Sequence, residues 1–545
     1  MRVLLVQAAT PPTYWGYQHS LPFIGKKATL PPLGLATLAA HLPERWELRI
    51  RDLHLGPLPD EDLLWADAVL VSGMLVQARS MRAVLSRARR LGRRTVVGGP
   101  APTTSPHAFP EADHVFQGEA EGRLERLVAA LESPASPAPR VLSPPGEGRP
   151  DLALARVPRF DLVDLEAYST YALQVSRGCP FNCEFCDIIE IFGRKPRVKS
   201  AAQVLAELSE LRRLGARGPL FLVDDNFIGN RKAVAKILVA VAAWQSEHAW
   251  PFDLHTEASL DLAGEPELLA AMVDAGFTAV FVGIETPNPA SLAEAHKNQN
   301  LRMDPGEAVR TLARAGLEVF AGFIVGFDAD DAEIFDRQLE FISSLPIPRA
   351  MVGILTALPD TQLWRRLEKE GRLRTDATGD QFDRPNFRTA MPEETLLAGY
   401  RRLLASLYSP EGYFARCLRQ LRETPASSVS LRRGSFAALA RAVWRIGVRG
   451  ERRRWFWRLL LEALRIGGFP AFAKAVTLSV LGEHLVRYTQ EEVLPRLDAG
   501  LVELRAERAA ELTRSRPAPD AAPAPPERAP PPPAPLVPAS ASPSS

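Results

Sequence analysis

Only four cysteines occur in 545 residues, too few for the disulfide framework of a secreted protein. No run of about 18 apolar residues occurs, the length a membrane-crossing helix needs. No basic-then-apolar leader precedes the first strand-like run, which begins at Arg2. The expectation is a cytoplasmic protein without a transmembrane helix. Net charge is nearly absent as well: 66 Lys and Arg stand against 64 Asp and Glu, a balance of +2. The whole chain therefore offers no electrostatic case for nucleic acid, and any charged surface must be local.

What is abundant is proline, 48 residues in two rich patches. Residues 134–150 hold 6 prolines in 17 and read as a linker, while residues 517–545 hold 12 in 29 and read as the core of a disordered tail over 516–545. Residues 1–133 alternate short apolar strands, at Val3–Val6, Glu47–Arg51, Ala68–Val71, Thr95–Val97 and His114–Phe116, with helical stretches. This predicts a doubly wound α/β domain of flavodoxin type, with a ligand at the switch point between its first and third strands. Over 165–375, strands ending at Ser176, Asp225, Glu257, Ile284, Val325 and Leu355 predict a partial barrel of six βα units, with its chemistry at the strands' carboxyl ends. Strand signals cease over 390–515, which reads as a helical region.

Three of the four cysteines lie just after the first barrel strand, in Cys179-Pro180-Phe181-Asn182-Cys183-Glu184-Phe185-Cys186. Three thiolates can hold three irons of a 4Fe-4S cluster and leave the fourth open, whereas a structural zinc site needs a fourth protein ligand that no nearby Cys or His supplies. Carboxylates and an amide close the following strands: Asp224, Asp225 and Asn226, then Glu257, then Glu285. They read either as ligand contacts or as caps of the next helices. Arg194 and Arg197, in the loop after the cysteines, suit a carboxylate or phosphate, or simply a solvated basic loop.

The C-x-x-x-C-x-aromatic-C segment resembles the cluster loop of the radical S-adenosylmethionine (radical SAM) superfamily, with Phe185 at the aromatic position. The resemblance implies that Cys179, Cys183 and Cys186 bind the cluster, that SAM chelates the open iron, and that its reductive cleavage releases a deoxyadenosyl radical. It also implies an external electron donor of flavodoxin or ferredoxin type. Gly322, Ile324 and Gly326 resemble the adenine-contact segment, although Ala329 stands where that segment has an acidic residue. Asp224, Asp225, Asn226, Glu257 and Glu285 fall where the family contacts SAM or substrate.

Residues 1–133 resemble the cobalamin-binding domain that precedes the barrel in one large radical SAM class, with Ser72, Gly98 and Gly99 matching the small residues that border the cofactor there. His54, in Asp52-Leu53-His54, follows the second strand rather than the first, and so reads as loop structure instead of a cobalt ligand. The fit is closest to the group that includes hopanoid C-2 methylases. It implies a cobalamin-dependent C-methyltransferase acting on an unactivated carbon of a small molecule or lipid; oxidative cyclisation or rearrangement is the enzymatic alternative, and a non-catalytic accessory protein the alternative of another class. Cys417 stands alone, so there is no second cluster of cysteines. Residues 431–465 carry 10 Arg against 2 acids, with Trp444, Trp455, Phe456 and Trp457 interleaved. This segment reads as a basic amphipathic helix that either packs on the barrel or meets the membrane peripherally.

Overall fold

The computed structural model describes residues 1–133, 139–142, 148–425, 435–514 and 529–535. Most of the proline-rich linker and tail expected from the sequence therefore lies outside the described residues. The first sheet is built from β1 (Arg2–Gln7), β2 (Glu47–Asp52), β3 (Ala68–Ser72), β4 (Arg94–Gly98) and β5 (His114–Val115). All pairs are parallel in the order β2-β1-β3-β4-β5, which puts the switch point between β1 and β3. Such a sheet is covered on both faces, which is why its strands are nearly continuous apolar runs. Val3 and Leu5 pack to one side, Leu4 and Val6 to the other.

The second sheet runs β13-β12-β11-β10-β9-β6. It contains β6 (Tyr171–Leu173), β9 (Gly218–Leu222), β10 (Phe252–Ala258), β11 (Phe277–Glu285), β12 (Glu318–Val325) and β13 (Ala350–Ile354), again all parallel. Between β6 and β9 a short antiparallel hairpin joins β7 (Ser176–Arg177) to β8 (Arg197–Val198). The first barrel strand thus stops at Leu173 instead of running to Ser176, because the Asp224 carboxylate takes the backbone N–H groups of Val175 and Ser176. Local chemistry starts the helices between strands. Ser200 and Gln203 form a reciprocal capping box on Ala201–Arg213, and Asn230, Asn288 and Thr361 cap their own helices.

An open six-stranded barrel has two exposed edges, and the helical region closes one of them. Tyr400 and Tyr408 donate their hydroxyls to the Val352 and Ala350 carbonyls of edge strand β13, at 2.7 and 2.6 Å. The buried Arg416 guanidinium donates to the carbonyls of Ile347 and Leu407. Cys417, beside it, is fully buried, and that burial raises its thiol to about 12, so it serves packing. The loop after β1 reaches across to the same region. Tyr14 stacks on Tyr408 and bonds Thr489 at 2.6 Å, Ser20 donates to the Val480 carbonyl, and Tyr488 donates to the Pro12 carbonyl.

One helical run, Arg453–Leu512, is long and apolar enough to cross a membrane by length and composition, where the sequence reading expects none. Its backbone breaks at Gly467 and Gly468. Past the break Leu478, Leu485 and Val486 are buried in the main core, while 28% of its most apolar stretch is buried.

Candidate active site between the two sheets

The carboxyl ends of both sheets border one cavity of about 1580 Å³. The β1 and β3 loops (Thr10, Ser72, Met74) form one wall, the concave face of the barrel another, and the helical region (Gln420, Lys474, Val480) a third. Strand register arranges the barrel face in levels. Pro219 and Asp253 border the cavity lowest, Phe221, His255 and Glu318 come next, then Glu257, Phe281 and Phe320, and Gly283 and Gly322 lie nearest the cysteines. The middle of this wall is aromatic: His255 stacks on Phe221 at 4.9 Å, and Trp15 meets Phe281 edge-on at 5.4 Å. On the level of His255, Glu318 pairs with both Arg349 and Lys474. Burial alone would raise the Glu318 carboxyl, but the two cations hold it down at about 2.

The cysteine loop is pinned by its own chain. Gly178 enters it with φ 91°, and a Cβ there would stand 2.7 Å from the Gly193 carbonyl, so only glycine fits. Asp225 accepts the Gly178 N–H at 3.0 Å, and Cys179 donates its N–H to the Gly193 carbonyl at 3.2 Å. Of the strand-end residues singled out from sequence, Asp224 and Asp225 therefore hold this loop, and neither caps a helix. Burial raises their carboxyls to about 7 and about 6. Asn226 donates to the Cys179 sulfur at 3.7 Å and to the Ser259 hydroxyl at 3.1 Å.

Glu285 is paired with Lys297 at 2.5 Å, and the Lys297 ammonium also lies 5.8 Å from the Phe185 ring centre. Glu257 differs from the others. Its carboxyl borders the cavity with no hydrogen bond or ion pair from any described residue, and burial, reinforced by Asp225 and Asp224, raises it to about 8. Folded Glu257 thus keeps a proton that the unfolded chain loses near 4.5. Its contribution to stability therefore declines as pH rises through this window. Glu257→Gln is expected to gain about 1–2 kcal/mol over the native chain at pH 8 and nothing at pH 4, the gain being well short of the full shift because cavity water screens the group. Urea unfolding at the two pH values measures it.

Phe185 and Ile324 pack in one small apolar cluster with Phe327, whose ring is 6.3 Å from that of Phe185. Gly322 is required for space, since a Cβ there would lie 2.9 Å from the Phe281 ring. After Gly326, Asp330 accepts the N–H groups of Gly326 and Phe327 and so closes the turn, while Asp328 pairs with Arg372 and Arg366.

On the other wall, Ser72 borders the cavity and Gly98 and Gly99 pack behind it. Gly99 has φ 99°, and a Cβ there would meet the Ser72 hydroxyl at 2.6 Å, so the two small residues let the β3 and β4 loops close on each other. His54 accepts the Thr10 N–H on Nε2 at 3.0 Å, which places its proton on Nδ1, facing the Asp52 carboxylate at 2.6 Å. Nε2 is thus occupied by the loop after β1, a structural role. Arg197 does not await an anion either: it pairs with Glu119 at 2.7 Å, and Arg177 bridges Glu119 and Glu121 at 2.7 and 2.8 Å. These buried pairs tie the first domain to the β7–β8 hairpin that carries the cysteine loop. Arg194 is exposed and donates to the Pro180 carbonyl.

Sequence reasoning missed Gln299, whose amide donates to the Cys183 sulfur at 3.6 Å. Its signal was the polar run Lys297-Asn298-Gln299-Asn300 at the mouth of a barrel. The donor set suits an iron–sulfur cluster: three half-buried or buried thiols with amide donors on two of the sulfurs. Among the described residues no three His, Cys, Asp or Glu side chains converge as a single ion would require.

This geometry agrees with what the chain is similar to. Residues 173–342 match the Radical SAM superfamily, residues 26–128 the B12 binding domain, and residues 361–494 a domain of unknown function, DUF4070. The class so defined is a radical SAM enzyme with a B12-binding domain, and its cofactors are a 4Fe-4S cluster, SAM and cobalamin. Within it the chain belongs to the cobalamin-dependent radical SAM methyltransferases. An uncharacterized methyltransferase of Synechocystis sp. is 39% identical over 501 residues, covering 90% of this chain and 92% of the relative. The hopanoid C-2 methylase of Rhodopseudomonas palustris is 34% identical over 521 residues, covering 93% and 97%. The fold matches that of the radical SAM methyltransferase TsrM of Kitasatospora setae, solved with cobalamin and a [4Fe-4S] cluster, at a TM-score of 0.59 and 16% identity over 90% of this chain and 99% of that one.

Asn226→Leu combined with Gln299→Leu is expected to weaken cluster retention about 10- to 100-fold, the usual cost of removing outer partners of metal ligands. Iron lost to a chelator over time is the measurement.

Proposed function

We propose that this enzyme methylates an unactivated carbon of an apolar, lipid-like substrate of the hopanoid kind. The observation that carries this reading is the large, mainly aromatic and aliphatic cavity shared by the two cofactor domains and walled on its third side by the helical region. When bound, the cofactors supply hydrogen abstraction and methyl delivery. Cys179, Cys183 and Cys186 hold the cluster, with Asp224, Asp225 and Gly178 fixing the loop. Phe185 and Ile324 form an apolar wall for the adenosyl group, and Gly322 and Gly326 shape the strand that carries it. Glu257, protonated near neutral pH, presents a hydrogen-bond donor to a bound ligand, and Glu285 with Lys297 sets the charge beside the cysteines.

His255, pushed down to about 3 by burial, stays neutral and adds no charge to the aromatic wall. The aromatic wall excludes water and orients a flat hydrocarbon, and the Glu318–Arg349–Lys474 group at its side receives the polar end. The reductant is an external flavodoxin or ferredoxin. The enzyme works in the cytoplasm, in peripheral contact with the inner face of the membrane through residues 431–465, of which 431–434 lie outside the described residues. No nucleic acid is part of this reading.

The test is anaerobic incubation of the reconstituted enzyme with SAM, a reductant and a hopanoid dispersed in detergent. A product heavier by one CH2 supports the reading, whereas methylation confined to polar, water-soluble acceptors would contradict it.

A further inference from the structure

Seven of the nineteen large apolar side chains exposed among the described residues lie between positions 436 and 469. That concentration calls for a partner. They sit on two adjoining helices, Ser435–Ala442 with its continuation Val443–Val448, and the first part of Arg453–Tyr488. The two are clamped together by the Trp457 indole, which donates to the Gly447 carbonyl at 2.9 Å. On the second helix Phe456, Leu459, Leu460 and Ala463 face the core, while Trp457, Leu461 and Leu464, spaced i, i+4 and i+7, form an exposed stripe.

Arginines border this stripe. Arg453, Arg454 and Arg458 on the second helix, and Arg445 and Arg449 on the first, have no carboxylate partner among the described residues, and the Arg449 guanidinium lies 4.6 Å from the exposed Trp444 ring centre. An apolar patch alone would suit many partners. Five unpaired guanidiniums beside tryptophans and leucines suit a surface that is apolar within and anionic at its rim, which is the interface of a charged bilayer. The site's cavity reaches this place: Ala438 and Pro470 both line it, and Phe436 and Phe469 beside them are exposed.

We propose that this helical pair docks on an anionic lipid bilayer, with the cavity mouth between Ala438 and Pro470 turned toward the acyl chains. The purpose of the contact rests on the lipid reading of the substrate; its geometry does not.

The experiment is flotation of the full-length holoenzyme with vesicles of phosphatidylcholine alone or mixed with phosphatidylglycerol, without substrate. Binding is expected to the mixed vesicles and to fall with added salt. It should drop at least about tenfold in Leu461→Glu/Leu464→Glu and in Arg454→Glu/Arg458→Glu, since each arginine near an anionic surface contributes about a fivefold factor. All four side chains are exposed, so melting temperature and cluster absorbance should be unchanged. Equal flotation of native and variant proteins would overturn the proposal. So would absence of vesicle binding together with a native dimer that the Leu461→Glu/Leu464→Glu variant abolishes, which would make a second copy the occupant. Methyl transfer to a detergent-dispersed hopanoid is a separate readout, so its failure sinks the substrate reading and leaves the vesicle result to stand or fall alone.

Discussion

Cys183→Ala is expected to abolish SAM cleavage, by well over the roughly 100-fold that loss of an outer partner costs a metal site, because it removes a ligand outright. Cys183 is the buried residue among the three clustered cysteines, and its sulfur accepts the Gln299 amide. Burial raises the thiols of Cys179 and Cys186, so without a metal they resist ionisation, and cluster binding must displace their protons. Iron content per chain and 5′-deoxyadenosine formation are the measurements, and the variant should lose both. Cys417→Ala should lose neither, since Cys417 lies in the helical region packed beside Tyr413 and Arg416.

Arg177→Ala should be the most damaging substitution outside the cysteines. Arg177 is buried with Glu119 and Glu121, and burial pushes the Glu121 carboxyl up while the nearby guanidinium more than offsets this and holds it below its ordinary value. Removing the cation leaves Glu119 with Arg197 alone and Glu121 with no ion-pair partner among the described residues, at a cost of about 3–5 kcal/mol. Because Glu119 and Glu121 belong to the first domain and Arg177 to the cysteine hairpin, the loss should also loosen the two from each other. Urea unfolding should shift to lower midpoint and split into two transitions, whereas a single transition at the native midpoint would show that the pairs do not couple the domains.

The strands of both sheets were legible in the sequence because the signal that marks them, an apolar run between helical stretches, is local. Val3–Val6 and Thr95–Val97 fall inside strands of the structure. The cysteine spacing was equally local. What could not be read were contacts between distant segments. Nothing near Tyr14 announces Thr489, and nothing near Tyr400 announces the edge of β13. The carboxylates show the same limit. Asp224, Asp225, Glu257 and Glu285 look alike at strand ends, yet backbone N–H groups take the first two, Lys297 takes the last, and only Glu257 is left to the cavity. Arg197 shows the same limit, since the carboxylate that its guanidinium suits is Glu119, 78 residues away.

The central claim is that a methyl group passes from SAM to an apolar substrate held in this cavity. Its most direct test supplies the reconstituted enzyme with SAM deuterated at the methyl group, together with cobalamin, a reductant and a hopanoid, and follows the label by mass spectrometry. The account predicts a product that carries the deuterated methyl on carbon, formed together with 5′-deoxyadenosine. A product formed without the label, by ring closure or rearrangement of the substrate alone, would contradict it.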